Sequence, residues 1–225
     1  MTTNNVVLAM TGASGSAYAV RLAQVLLQAN CTVHLIASDA ARQVSVRELG
    51  VTMPPDSATE SQWLGFLKTS LHSQVTQGWG FQDTEIPANS KLTVHSKQDY
   101  SAGIASGSFL TKGMIVCPCS MGTLSSIAAG ASTNLLQRAA DVHLKERRPL
   151  VLVPRETPLG MIALQNMVTL TQAGATIMPS MPGFYQYPTC IADLVDFVVA
   201  RACDHLKVPH QLVARWGEDN QAEPT

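Results

Sequence analysis

VVLAMTGASGSAYAVRLAQVLLQ, residues 6–28, decides the fold. Val6–Met10 is short and wholly apolar, as a strand buried on both faces must be. Thr-Gly-Ala-Ser-Gly-Ser at 11–16 ends it. From Ala17 to Gln28 the spacing changes, with Val20, Ala23, Leu26 and Leu27 recurring at helical intervals. Thr32–Ala37 (TVHLIA) is again short and β-branched and reads as a second strand. Ser38 or Asp39 can cap a helix running to about Leu49, with Gly50 as its stop. Strand, glycine turn, helix, strand, helix is the opening of a parallel α/β sheet.

The pattern resumes downstream. Met114–Cys117 reads as a buried strand, and a helix rich in small residues begins over Leu124–Ala129. A helix is expected over Asn134–Arg147, with Leu135, Leu136, Ala139, Val142 and His143 towards one face. Pro149–Val153 is a strand, Leu159–Thr171 a helix stopped near Gly174, and Thr176–Met178 a last short strand. Ile191–Leu206 closes the chain as an amphipathic helix, with Leu194, Val195, Val198 and Ala202 inward. Between 51 and 112 the signals are weaker: Trp63–Gln74 as a helix, Lys91–His95 as a strand, Ala102–Ser108 as a flexible loop. With no repeat and no long linker, one domain is expected over 1–217: a doubly wound parallel sheet in three layers, Rossmann-like or flavodoxin-like. Residues 218–225 are expected to be a polar, disordered tail.

The 225 residues carry 15 Lys and Arg against 16 Asp and Glu, a net charge of −1. That balance gives no reason to expect nucleic acid or an anionic membrane as partner. Charged residues make up 14% of the chain, against roughly 25% in typical soluble domains, yet no apolar run approaches the roughly 20 residues of a membrane span. Cys31, Cys117, Cys119, Cys190 and Cys203 are odd in number and scattered, so they form no disulfide framework. The single C-P-C lacks the second pair or spaced histidines of a zinc site, and its cysteines read as small core residues; no metal is expected. No basic segment precedes the first apolar run, so no signal peptide is expected and the reading is cytoplasmic.

Two features point to chemistry. The glycine loop lets backbone N–H groups approach a ligand, in front of a helix N-terminus and at the turn where open sheets bind nucleotides. It is neither a Walker A motif nor GxGxxG, since its glycines are Gly12 and Gly15 alone, and an ordinary βα turn can carry two glycines. The second feature is charge patterning. Positions 113–137 and 157–192 hold no charged residue, while the stretch between them holds eight: Arg138, Asp141, Lys145, Glu146, Arg147, Arg148, Arg155 and Glu156. A solvated helix face accounts for Glu146, Arg147 and Arg148. Arg155 and Glu156 abut an apolar strand at the edge where such sheets place ligands, and suit an anionic substrate. Pro179–Pro188 is a charge-free aromatic loop in which Pro182, Phe184 and Tyr187 could wall a pocket and Tyr185 donate a hydrogen bond, or which merely connects. Arg201 is a lone cation on the last helix, a position usually just exposed.

TGASGS at 11–16, CPCSMGTLSSIAAG at 117–130, NLLQRAADVHLKERRPLVLVPRETP at 134–158, PGFY at 182–185 and DLVDFVVAR at 193–201 together resemble the UbiX-type flavin prenyltransferases, once described as carboxy-lyases. The match covers about 5–50 and 113–217; residues 51–112 are longer than the family pattern leads one to expect. The resemblance implies a Rossmann-like flavoprotein that assembles as a dodecamer of trimers. It implies metal-free transfer of a dimethylallyl group from dimethylallyl phosphate to the N5 and C6 atoms of reduced FMN, and delivery of the prenylated FMN to a UbiD-type decarboxylase, for instance in ubiquinone biosynthesis.

Carried over motif by motif, the resemblance implies that Gly12, Ala13, Ser14, Ser38, Ser120, Met121, Gly122, Thr123 and Arg138 hold FMN. Lys145, Arg155, Tyr185 and Arg201 would bind the prenyl phosphate, and Ser14, Glu48 and Glu156 would handle protons. Lys145 and Tyr185 would serve partly in neighbouring subunits' sites. Two alternatives stand beside this. A related flavoprotein that decarboxylates cysteine derivatives needs an early active-site histidine and a Pro-x-Met-Asn motif, and the motif is missing. A non-catalytic FMN-carrying subunit need not keep Lys145, Arg155, Glu156, Tyr185 and Arg201 together. A chain so poor in charge is also expected to bury surface in a homo-oligomer.

Overall fold

Residues 3–215 are described in a computed structural model; the expected tail at 218–225 lies outside them. Among the described residues six parallel strands form one sheet: β1 (Asn5–Met10), β2 (Thr32–Ala37), β3 (Lys91–His95), β4 (Gly113–Cys119), β5 (Leu150–Pro154) and β6 (Thr176–Ile177). Their order is 3-2-1-4-5-6, the order of a Rossmann-type doubly wound sheet. The strand order reverses between β1 and β4, which pair from Val6 opposite Gly113 to Ala9 opposite Val116. That reversal opens a crevice beyond their C-terminal ends.

The helices are α1 (Ser16–Gln28), α2 (Asp39–Leu49), α3 (Glu60–Thr69), α4 (Met121–Ala128), α5 (Leu135–Lys145), α6 (Met161–Gln172) and α7 (Ile191–His205). Alternation along β1 divides the core. Val6, Leu8 and Met10 face one layer with α1, α2, α3 and α7, while Val7 and Ala9 face the other with α4, α5 and α6. Apart from His34 on β2, the residues buried on both faces of the central strands are apolar, which explains strands that read as nearly continuous hydrophobic runs. No helix among the described residues is long and apolar enough to cross a membrane.

Several expected boundaries move. Helix α3 starts at Glu60 rather than Trp63, because Thr59 and Gln62 form a reciprocal capping box; it ends at Thr69 and gives way to a 3-10 turn at Ser70–His72. Helix α4 starts three residues before Leu124, where the Ser120 hydroxyl accepts from Thr123 N–H at 3.4 Å. Asn134 caps α5 rather than belonging to it. Leu194 is only half-buried, while Val195, Val198 and Ala202 are buried as expected. The expected flexible loop at 102–108 is pinned. Gly103–Ala105 is a 3-10 turn with Ile104 in the core; Arg138 Nε donates to Ala105 O at 3.0 Å, and Arg148 Nη1 to Phe109 O at 2.7 Å. Small residues there conceal one apolar anchor and two carbonyl acceptors.

Candidate functional site

The crevice is built from the ends of β1, β2, β4 and β5. Thr11, 2% exposed, ties the first to the third: its Oγ1 donates to Pro118 O at 2.7 Å and accepts from Ser120 N–H at 2.7 Å. Ser38 N–H donates to Met10 O at 3.0 Å, and its hydroxyl caps α2 by accepting from Ala41 N–H at 3.1 Å. Gly12 lies so close to the first turn of α2 that a Cβ on it would run into the Cβ of Ala40. Arg155 N–H donates to Cys119 O at 3.4 Å and brings the Arg155-Glu156 pair beside the β4 loop.

Glu48 reaches back from α2 to the start of α1. Its carboxylate accepts from Gly15 N–H at 3.0 Å and Ser16 N–H at 2.7 Å. Burial works to raise its pKa, but hydrogen bonds from the Ser14 hydroxyl, the Ser16 and Gly15 N–H groups and the Ser16 hydroxyl outweigh it, and the net shift is downward. The helix N-terminus behind the glycine loop, which the sequence offers to a phosphate, therefore already holds a carboxylate. The start of α4 does not: its first turn contains no acidic residue, and a Cβ on Gly122 would meet nothing within 4 Å. Helix α5 is closed by Lys97 O, which accepts from Leu135 N–H at 2.7 Å, and by Asn134, which accepts from Gln137 N–H.

Gly12, Ala13, Ser14, Ser38, Glu48, Ser120, Met121, Gly122, Thr123, Arg155 and Glu156 all lie at this C-terminal edge. Arg138 stands one turn into α5, held by Asp141 at 2.7 Å and by Ala105 O. Among the described residues Arg155 forms no salt bridge or side-chain hydrogen bond, unlike Arg138 and Arg201. Arg155, Glu156, Leu159 and Met181 line a cavity of about 210 Å³ beside the crevice.

Three of the expected substrate residues do not converge here within one chain. Lys145 ends α5 by the strands' N-terminal edge and pairs with Glu146 at 2.6 Å. Arg201 lies near the end of α7, where Leu206 packs against Gly113 at the start of β4, and it pairs with Asp204 at 2.9 Å. Tyr185 is not among the residues lining the Arg155 cavity and packs edge-on against Phe197 of α7, ring centroids 5.6 Å apart. Phe184 and Tyr187, expected as pocket walls, are 71% and 72% exposed in the single chain. Two residues of the crevice lay outside the sequence reading: Thr11, quoted only as part of the loop, and Tyr18, which the helical periodicity passed over.

The Flavoprotein family model matches residues 1–203. The flavin prenyltransferase UbiX of Halalkalibacterium halodurans is 45% identical over 210 residues, 93% of this chain and 92% of that protein. A crystal structure of AnUbiX in complex with FMN and dimethylallyl pyrophosphate superposes with a TM-score of 0.76 at 35% identity, covering 97% of this chain and 100% of that one. A dodecameric FMN-dependent UbiX-like decarboxylase from Escherichia coli superposes at 0.74 and 38% identity, covering 94% and 98%.

Proposed function

The chain belongs to the flavoprotein family and, within it, to the UbiX flavin prenyltransferases, and from that premise we propose that it transfers a dimethylallyl group from dimethylallyl phosphate to reduced FMN. One observation carries the reading: an acid held ionised at α1, an open helix N-terminus at α4 and Arg155, unpaired among the described residues, meet at the switch point of the sheet.

The residues present fit a flavin mononucleotide. Gly12 gives the close backbone approach that a larger residue would block, and Gly122 leaves the first turn of α4 clear. The α4 N–H groups, with no acid of their own, attract a phosphate. Gly12, Ala13, Ser14, Ser38 and Ser120–Thr123 hold the cofactor, with Arg138 beside them. Reduced FMN supplies the nucleophilic N5 and C6 atoms that accept the prenyl group.

The chain's own residues do the rest. Arg155 stabilises the charge that grows on the departing phosphate. Ser14 donates to the ionised Glu48, so Glu48 takes a proton through Ser14, while Glu156 at the cavity mouth returns one to the phosphate. Leu159 and Met181 offer the prenyl chain an apolar wall, exposed in the single chain, that a neighbouring copy closes against water. Lys145, Arg201 and Tyr185 reach this crevice from neighbouring copies in a homo-oligomer, a dodecamer by the family pattern. The product goes to a UbiD-type decarboxylase. The cysteine-decarboxylase alternative loses its early histidine: His34 is buried in β2, against His95 at 3.0 Å and against Phe109.

The test is anaerobic incubation of the protein with reduced FMN and dimethylallyl phosphate, followed by mass spectrometry of the extracted flavin. A gain of one five-carbon prenyl unit is expected; FMN that binds but never gains it contradicts the proposal.

A further inference from the structure

Tyr18 is the third residue of α1, half-buried at the glycine loop. Its N–H donates to Gly15 O at 3.0 Å, and its ring lies over Gly15, whose φ is +128°. A Cβ on that glycine would stand 2.8 Å from Tyr18 Cδ2 and 3.5 Å from Pro118 Cβ, so the ring and Pro118 flank the same backbone. Cys119, next after Pro118, accepts the Arg155 N–H. The ring is thereby packed on the glycine loop beside Pro118, two links of chain from the backbone of Arg155.

Its hydroxyl has no hydrogen-bond partner among the described residues, and neither does the neighbouring Arg155 guanidinium. Two donors without an acceptor among the described residues thus lie within electrostatic reach of each other at the crevice. The nearby carboxylate that could accept from them, Glu48, is engaged by Ser14, Gly15 and Ser16. Burial above all, then Cys117, raises the Tyr18 pKa; Arg155 opposes this and Glu48 adds to it, with a net rise. At neutral pH the phenol is a donor.

We propose that Tyr18 is a further substrate-binding residue, whose hydroxyl donates to a phosphate oxygen of the prenyl donor that Arg155 also holds. This rests on reading the crevice as the prenyl-phosphate site. A donor so placed gains strength as negative charge collects on the leaving phosphate, so it serves turnover as well as binding.

The test compares wild type and Tyr18→Phe, which keeps the ring and removes only the hydroxyl, as FMN-loaded protein. The Kd for inorganic phosphate by calorimetry and the KM for dimethylallyl phosphate are both expected to rise about tenfold, as loss of one hydrogen bond to a charged group implies, with FMN affinity within about twofold. An unchanged phosphate Kd and KM overturns the proposal, and so does an FMN affinity that falls as far as the KM rises, since that marks a structural role. If wild type binds phosphate through Tyr18 yet prenylates nothing, the functional reading falls while the Tyr18 assignment stands.

Discussion

Glu48 closes a helix end, and in the proposed reaction it also moves a proton. An amide at this position presents one acceptor and turns an NH2 towards N–H donors. Glu48→Gln is therefore expected to lower stability by about 2–4 kcal/mol above pH 5, from the charged hydrogen bonds lost, and turnover by about 100-fold or more. The sign of its pH dependence follows from a folded pKa held below the ordinary 4.5: the stabilisation is full above that value and is lost as pH falls through the folded pKa. Denaturation midpoints of the two proteins should converge in acid; a constant gap would contradict the ionised assignment. Thr11→Val strands the Ser120 N–H and Pro118 O and should cost about 1–3 kcal/mol and weaken FMN binding, whereas Thr11→Ser should restore both; equal losses would refute the bridging role. Arg155-Glu156 was legible in sequence because charge beside an apolar strand is out of place. Thr11 and Tyr18 were not, because a threonine after a strand and a tyrosine on a helix look ordinary, and the partners of Thr11 lie 107 and 109 residues away.

At the scale of elements, glycine contacts and helix ends decide the site. Gly12→Ala should push the loop off α2, costing about 1–3 kcal/mol and more in FMN affinity than a mutation in α6 does; an alanine accommodated without loss would show that the close approach is unnecessary. Two buried histidines, His34 on β2 and His143 on α5, are held neutral with pKa values of about 4, burial being the main cause in each. Because these values lie below the ordinary 6.5, the unfolded chain takes up protons that the folded one refuses. Stability should be full above pH 6.5 and fall by up to about 2.7 kcal/mol per pH unit between there and pH 4. Urea midpoints at pH 7.5 and 5.5 check this, and identical midpoints would contradict it. The strands and most helices could be read from periodicity alone, since a parallel sheet writes itself in apolar runs. The starts of α3 and α4 could not, since capping by Thr59, Gln62 and Ser120 set them rather than the first apolar residue.

For the whole molecule, the charge-free stretch 157–192 makes up α6, the last strand β6 and the loop that follows. Met161, Ile162 and Val168 point outward from α6, at 57–75% exposure, continuous in sequence with the exposed loop bearing Phe184 and Tyr187. In the proposed homo-oligomer, burying that surface between copies would account for both the low charge and the position of Lys145 and Arg201 away from the crevice of their own chain. Met161→Glu combined with Ile162→Glu should yield a folded monomer by size-exclusion chromatography that no longer prenylates flavin; a monomer with full activity would refute the shared site. The low charge was visible in sequence, but its role was not, because a sequence does not say which residues of one chain meet another. In the proposed assembly the glycine-loop crevice, with Arg155, belongs to one copy, and the cations Lys145 and Arg201 that complete it come from its neighbours. The most direct test of this shared site mixes two inactive variants, Glu48→Gln and Arg201→Ala, dissociates and reassembles them together, and measures prenylated flavin. Equal mixing should restore about one quarter of wild-type activity, since half the crevices are intact and half of those face an intact donor. No activity in hybrids verified by native mass spectrometry would contradict it.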